Sequence, residues 1–185
     1  MGANANNAIF YLVSTLFDVY LWVVMLRIIL QAVRADFYNP ISQLIWQLTQ
    51  PLLGPAQKLL PKYRQWDLAA IALLGVVALV YIQVVAAILG YGVGGIASVG
   101  YALLKLAVLA LNLYTFALFV QAILSWVGPG VSNPAGSILW SMNEPLLRPV
   151  RRVIPPMSGL DLSPLVVILA LQFLNLLLPL PGIFR

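Results

Sequence analysis

Four stretches of this chain are apolar for long enough to predict membrane-crossing helices, and proline-rich polar segments separate them. The first, residues 8–33, is interrupted only by Asp18 and Arg27 among charged positions. At about 1.5 Å per residue it crosses a hydrocarbon core of about 30 Å with some tilt. Residues 68–89 predict a second span, 101–127 a third and 162–178 a short fourth. None alternates with the period of a barrel strand, and backbone in lipid is satisfied by helix. The expected class is an all-α membrane protein with four transmembrane helices. Residues 1–7 are short and uncharged, so the first span reads as retained rather than as a signal peptide.

Sliding the sequence by 94 residues superposes it on itself without a gap. Asn39-Pro40 falls on Asn133-Pro134, Trp46 on Trp140, and Pro51 on Pro145. Pro55 falls on Pro149, Pro61 on Pro155, and Asp67 on Asp161. Each copy reads as span, interfacial segment, span, with a first repeat over residues 1–92 and a second over 93–185. A two-span unit returns to its starting side, so the copies are expected to be parallel.

The interfacial segments, about 39–60 and 133–154, carry apolar residues at helical spacing. In the second these are Ile138, Leu139, Met142, Leu146 and Val150, with Arg148, Arg151 and Arg152 on another face. In the first they are Ile41, Leu44, Ile45, Leu48 and Leu52. Asn39 and Asn133 suit N-caps, and Pro40 and Pro134 suit the first helical position. The later prolines predict a bend near Pro51 and Pro145, giving two short helices in each amphipathic segment. Asp67 and Asp161 are placed to cap the spans that follow.

Charge orients the chain. Arg34, Lys58, Lys62, Arg64, Arg148, Arg151 and Arg152 all fall in the two longer connections, whereas Lys105 and Arg185 belong to the opposite side. The positive-inside bias therefore puts both connections in the cytoplasm and both termini outside it, with Trp46, Trp66, Trp126 and Trp140 near the cytoplasmic interface.

Composition narrows the chemistry. Of the 185 residues 62% are hydrophobic and 8% charged, so the net charge of +5 is too sparse for a nucleic-acid face, and anionic headgroups are the expected counter-charge. Cys and His are absent, which excludes thiolate nucleophiles, disulfides, His-ligated metals and His acid-base catalysis. No cofactor and no enzymatic activity are expected; a membrane-protein partner or a homo-oligomer is.

The twice-repeated pattern of Asn-Pro, apolar helix, Pro-Leu-Leu, further Pro, basic residues, Pro and closing Asp resembles the YggT family, also called YlmG, over essentially the whole chain. The first copy departs from the second in having Gly54 and Gln57 where the second has Arg148 and Arg151. The resemblance implies a small bacterial inner-membrane protein linked to osmotic or potassium homeostasis, with relatives in cell-division gene clusters and plastid membrane assembly.

Polar groups within the spans are the remaining candidates. Asp18 lies about 24 Å along its helix from Arg34. Asn112 is its repeat mate, and Gln83 and Asn175 reach a similar depth, which suggests a hydrogen-bonded ring or a small hydrated cavity. Arg27, with repeat mate Gln121, is read either as snorkelling to the headgroups or as facing the bundle. Lys105 reads as an interface anchor, with Asp18 as an alternative partner. Gly90-Tyr91-Gly92 lacks the context of a selectivity filter, and residues 90–100 read as a flexible outer loop. The leading expectation is a membrane factor acting through lipid or partner contacts of its basic segments. The alternative is an ion transporter or channel component using the intramembrane polar groups.

Overall fold

A computed structural model describes residues 3–63, 66–127, 133–154 and 161–185. Among them lie six α-helices: α1 (Ala3–Ala32), α2 (Pro40–Leu59), α3 (Leu68–Leu89), α4 (Gly95–Val127), α5 (Pro134–Val153) and α6 (Ser163–Leu177), followed by a 3-10 turn at Gly182–Phe184. α1, α3 and α4 are long and apolar enough to cross a membrane. α6 has 15 residues and reaches about 22 Å, short of a full hydrocarbon core. Beyond it the chain turns back, and Leu180 and Phe184 bury themselves in the main core, Phe184 against Tyr101 with ring centroids 5.4 Å apart.

Local chemistry sets the helix ends. The Asn39 carboxamide accepts the Ile41 N–H at 2.9 Å to start α2, and Asn133 accepts the Ala135 N–H at 3.0 Å to start α5, each followed by proline. Asp67 accepts the Ala70 N–H at the head of α3, which ends at Gly90 with φ +75°. There the Tyr91 N–H reaches the Ala86 carbonyl and the Gly90 N–H reaches that of Ala87, the paired bonds of a Schellman stop.

Two expectations need correction. α2 and α5 each run as one continuous helix through Pro51 and Pro55, and through Pro145 and Pro149, rather than as two helices. The four prolines are exposed, and spacing by four residues keeps each pair on one outward face where the orphaned carbonyls remain accessible. The connection between α3 and α4 is also shorter than the expected loop over residues 90–100, because α4 already begins at Gly95. Buried Ser98 stabilises that first turn by bonding back to the Gly94 carbonyl and accepting the Gln83 carboxamide at 2.6 Å.

α1 packs on α3, α4 on α6, and α3 against α4. The core of α1, α3 and α4 includes Leu21, Val24, Ala78, Ile82, Leu109 and Leu113, and the alanines of α3 allow close helix approach; Val167 and Leu171 of α6 pack instead with Leu118 and Leu147. Large apolar side chains such as Leu16, Phe119 and Phe173 remain more than half exposed on the outside. A water-soluble domain would bury such a surface; here lipid is its natural solvent. α2 and α5 meet at one end of the bundle. Asn39 Nδ2 donates to the Pro134 carbonyl at 2.8 Å and to Ser137 Oγ at 3.0 Å, and Ile45 packs with Ile138.

Candidate functional site

Where α1, α2 and α3 converge, a polar cluster closes on itself. Buried Arg27 donates to Thr49 Oγ1 at 2.6 Å and to Gln50 Oε1 at 3.1 Å, and its Nη2 lies 3.8 Å from Asp67 Oδ2. Gln57 Nε2 donates to that same Asp67 oxygen at 2.6 Å, and Gln50 Nε2 to Gln57 Oε1 at 3.4 Å. One guanidinium thus ties α1, α2 and the cap of α3 together. Arg27 therefore faces the bundle and does not snorkel: Thr49 on α2 sits at its level and offers the polar partner an isolated span would lack.

The second copy builds the same cluster with different charges. Asn143 Nδ2 donates to Gln121 Oε1 at 2.7 Å, Arg151 Nη1 to Glu144 Oε2 at 2.7 Å, and Arg151 Nε to Asp161 Oδ2 at 2.9 Å. Positions 121, 143, 144, 151 and 161 are each 94 residues beyond 27, 49, 50, 57 and 67. The cation, on α1 in the first copy, is on α5 in the second, and Glu144 has joined Asp161 in balancing it. Partial burial pushes the Asp161 carboxyl upward, but the Ser163 N–H at 2.9 Å and the Arg151 guanidinium together outweigh it and hold the group below its ordinary value. Arg151, read from the sequence as a lipid or partner contact, is committed to this internal network.

Deeper in the bundle the four polar groups do not close into one ring. Asp18 Oδ1 lies 2.7 Å from the Nζ of Lys105, which is 1% exposed, 3.4 Å from the Tyr81 hydroxyl and 4.5 Å from the centre of its ring. Lys105 is thus no interface anchor: α4 carries it between α1 and α3, where the carboxylate and the aromatic face replace its water. Asn175 Nδ2 donates to Asn112 Oδ1 at 2.6 Å, and Arg185 closes the end of α6 by donating to the carbonyls of Asn175 and Leu178 at 3.0 Å. Gln83 turns to Ser98. The angular offsets of α3 and α6 split the expected ring into separate pairs.

The remaining cations stay outside these networks. Lys58, Lys62, Arg148 and Arg152 are exposed and have no ion-pair partner among the described residues. Arg64, Pro155 and the side chain of Trp126 lie outside the described residues. Pro61 is exposed, and Trp46 and Trp140 are 41% and 57% exposed.

A model of the CCB3/YggT family matches this chain twice, over residues 6–88 and 100–181. The chain belongs to the CCB3/YggT family. It is similar to an uncharacterized protein of Pseudomonas aeruginosa, 42% identical over 174 residues that cover 93% of this chain and 88% of that one. An uncharacterized protein encoded in the proC 3' region of Vibrio alginolyticus is 42% identical over 179 residues, 93% of this chain and 94% of its own length. The uncharacterized YggT protein of Escherichia coli K12 is 36% identical over 174 residues, covering 92% of this chain and 88% of that protein. No solved structure matches.

In this CCB3/YggT chain the cluster residues Thr49, Gln50, Asn143 and Glu144 were not singled out by sequence. The signal that finds them is the same 94-residue alignment, which sets polar residues opposite one another at both positions although the identities differ.

Proposed function

We propose that this protein is a non-enzymatic component of the bacterial inner membrane that works through lipid or partner contacts of the basic end formed by α2 and α5, within osmotic or ion homeostasis or membrane-protein assembly. One observation carries the reading. The intramembrane polar groups Asp18, Arg27, Asn112, Gln121 and Asn175 all pair inside the fold, whereas Lys58, Lys62, Arg148 and Arg152 at the α2 and α5 end have no ion-pair partner among the described residues. Groups committed to one another hold helices together; unpaired interfacial cations remain to meet an external anion. In this reading α6 is a fourth, short span, accommodated by local thinning of the bilayer, and the two copies are parallel repeats. α2 and α5 then lie as amphipathic helices at the cytoplasmic leaflet, and both termini are on the other side.

A second reading, an ion transporter or channel component, draws on Asp18, whose side chain keeps 32% of its exposure beside the Lys105 ion pair. One comparison separates the two. Arg148→Ala with Arg152→Ala is tested for in-membrane crosslinking to partners, and Asp18→Asn with Arg27→Gln is tested for ion flux. Loss of crosslinking in the first pair alone supports the proposal; loss of flux in the second pair alone overturns it in favour of transport.

A further inference from the structure

A cavity of about 280 Å³ opens between the end of α1 and the first turns of α2. Among the described residues its lining includes Arg27, Arg34, Lys62, Ser42 and Trp46, and no carboxylate. Arg27 is partly balanced by Asp67 at 3.8 Å, but Arg34 and Lys62 have no ion-pair partner among the described residues. The hydroxyl of Ser42 is buried there without a hydrogen-bond partner among the described residues, a donor left open in a polar, cationic space.

Two further observations mark the cavity as built for a ligand. Arg34 has φ +54°, the left-handed region that favours glycine. It occupies the C′ position of a Schellman stop: the Ala35 N–H reaches the Leu30 carbonyl at 2.9 Å and the Arg34 N–H reaches that of Gln31 at 3.2 Å. α3 uses Gly90 at this position, and the second copy has Gly128 at the residue aligned with Arg34. A strained arginine where the fold elsewhere uses glycine points to its side chain as the reason. The second copy also lacks the rest of the set: Arg27, Ser42 and Lys62 align with Gln121, Gly136 and Pro156, while Trp46 alone keeps its type as Trp140. The stop also turns the last carbonyls of α1 inward, so the negative end of that helix is occupied by its own N–H groups.

We infer that this cavity binds a phosphate group, and that the first copy alone carries the site. The volume is near the lower end of small-ligand pockets, about 300 Å³, which suits a phosphate with a small headgroup. Phe37 and Trp46 are 55% and 41% exposed and meet edge to face with centroids 6.4 Å apart at its side, an apolar rim that suits a phosphate carried on a lipid. The site rests on the proposed function and specifies it, replacing a diffuse basic surface with one headgroup pocket.

The test compares the whole protein in mild detergent with two double variants, Arg34→Gly with Lys62→Gln and Arg148→Gln with Arg152→Gln. Binding of phosphatidylglycerol, phosphatidylcholine and inorganic phosphate is measured by native mass spectrometry and by thermal shift. Arg34→Gly installs the residue that α3 uses at the same kind of stop, Gly90, so this variant is expected to fold. The expected result is a loss of phosphatidylglycerol affinity of about 30-fold in the first double variant and less than about twofold in the second, with phosphatidylcholine weaker throughout. Inorganic phosphate that competes in the parent but not in the first variant supports the same site with a soluble source. Equal losses in both variants, or loss in the second alone, overturn the pocket while leaving a basic lipid-contacting face. Absence of any preference for the anionic lipid in the parent overturns both.

Discussion

Replacing Lys105 with methionine removes the cation that α4 places between α1 and α3, and the structure allows the cost to be worked. Nζ lies 2.7 Å from Asp18 Oδ1 and Lys105 is 1% exposed. At an effective dielectric of about 20, unit charges at that distance attract by about 6 kcal/mol before desolvation is counted. Breaking a buried pair by deleting one partner costs about 3–5 kcal/mol, and the 32% residual exposure of the Asp18 side chain favours the lower end, about 3 kcal/mol. For a chain of this size that corresponds to a fall in Tm of roughly 6–12 °C. The assay is thermal unfolding in mild detergent, followed by tryptophan fluorescence and by size-exclusion recovery. Asp18→Asn in the Lys105→Met background removes the stranded carboxylate, so the double variant is expected to regain about 2 kcal/mol over the single one. A parent-like Tm for Lys105→Met, or strictly additive losses, would refute the ion pair as a clamp between the helices.

Other expectations follow from the clusters. Arg27→Gln imitates the second copy, shortens the side chain and loses a charged hydrogen bond to Thr49, and should cost about 1.5–3 kcal/mol in the same unfolding assay; an unchanged Tm contradicts the cluster's role. Arg34→Gly relieves the left-handed strain and should stabilise the detergent-solubilised, lipid-free protein by about 1 kcal/mol; destabilisation would show that the arginine is held there by packing. The Asp161 carboxyl is held below its ordinary value of 3.8, so its stabilising contribution is complete above that value and is lost as pH falls through the lower folded value. The parent should therefore lose stability more steeply than Asp161→Asn as pH falls below about 4, and parallel pH profiles would contradict it.

The helices were largely legible because lipid imposes a simple rule on them. α3 matches the apolar run 68–89, bounded by a capping aspartate and a left-handed glycine, and α2 and α5 begin where Asn-Pro says they should. α4 was misread at its start because glycine's weak helix preference at Gly95 and Gly100 says nothing of the Gln83 bond that secures Ser98 there. The prolines of α2 and α5 misled for a related reason: their cost depends on which way the orphaned carbonyls face, and only the packed helix reveals that.

The polar groups were legible as candidates but not as partners. Depth along a span can be counted, which is how Asp18, Gln83, Asn112 and Asn175 came to be grouped, but rotation about the helix axis cannot. Rotation is what sends Gln83 to Ser98 and brings Lys105 to Asp18. Arg151 shows the same gap from the other side. Its place on a basic face was visible, and its capture by Glu144 and Asp161 became visible only with α5 seated on α6.

The native chain has no cysteine, so thiol labelling at introduced sites is free of background. Lys58→Cys on α2 and Arg152→Cys on α5, both exposed, would be labelled with a membrane-impermeant maleimide in intact spheroplasts and in inverted inner-membrane vesicles. Modification of both residues in the inverted vesicles and of neither in spheroplasts is the predicted result. Labelling of the two from opposite faces would contradict a single basic end built from α2 and α5, and with it the function assigned to that end.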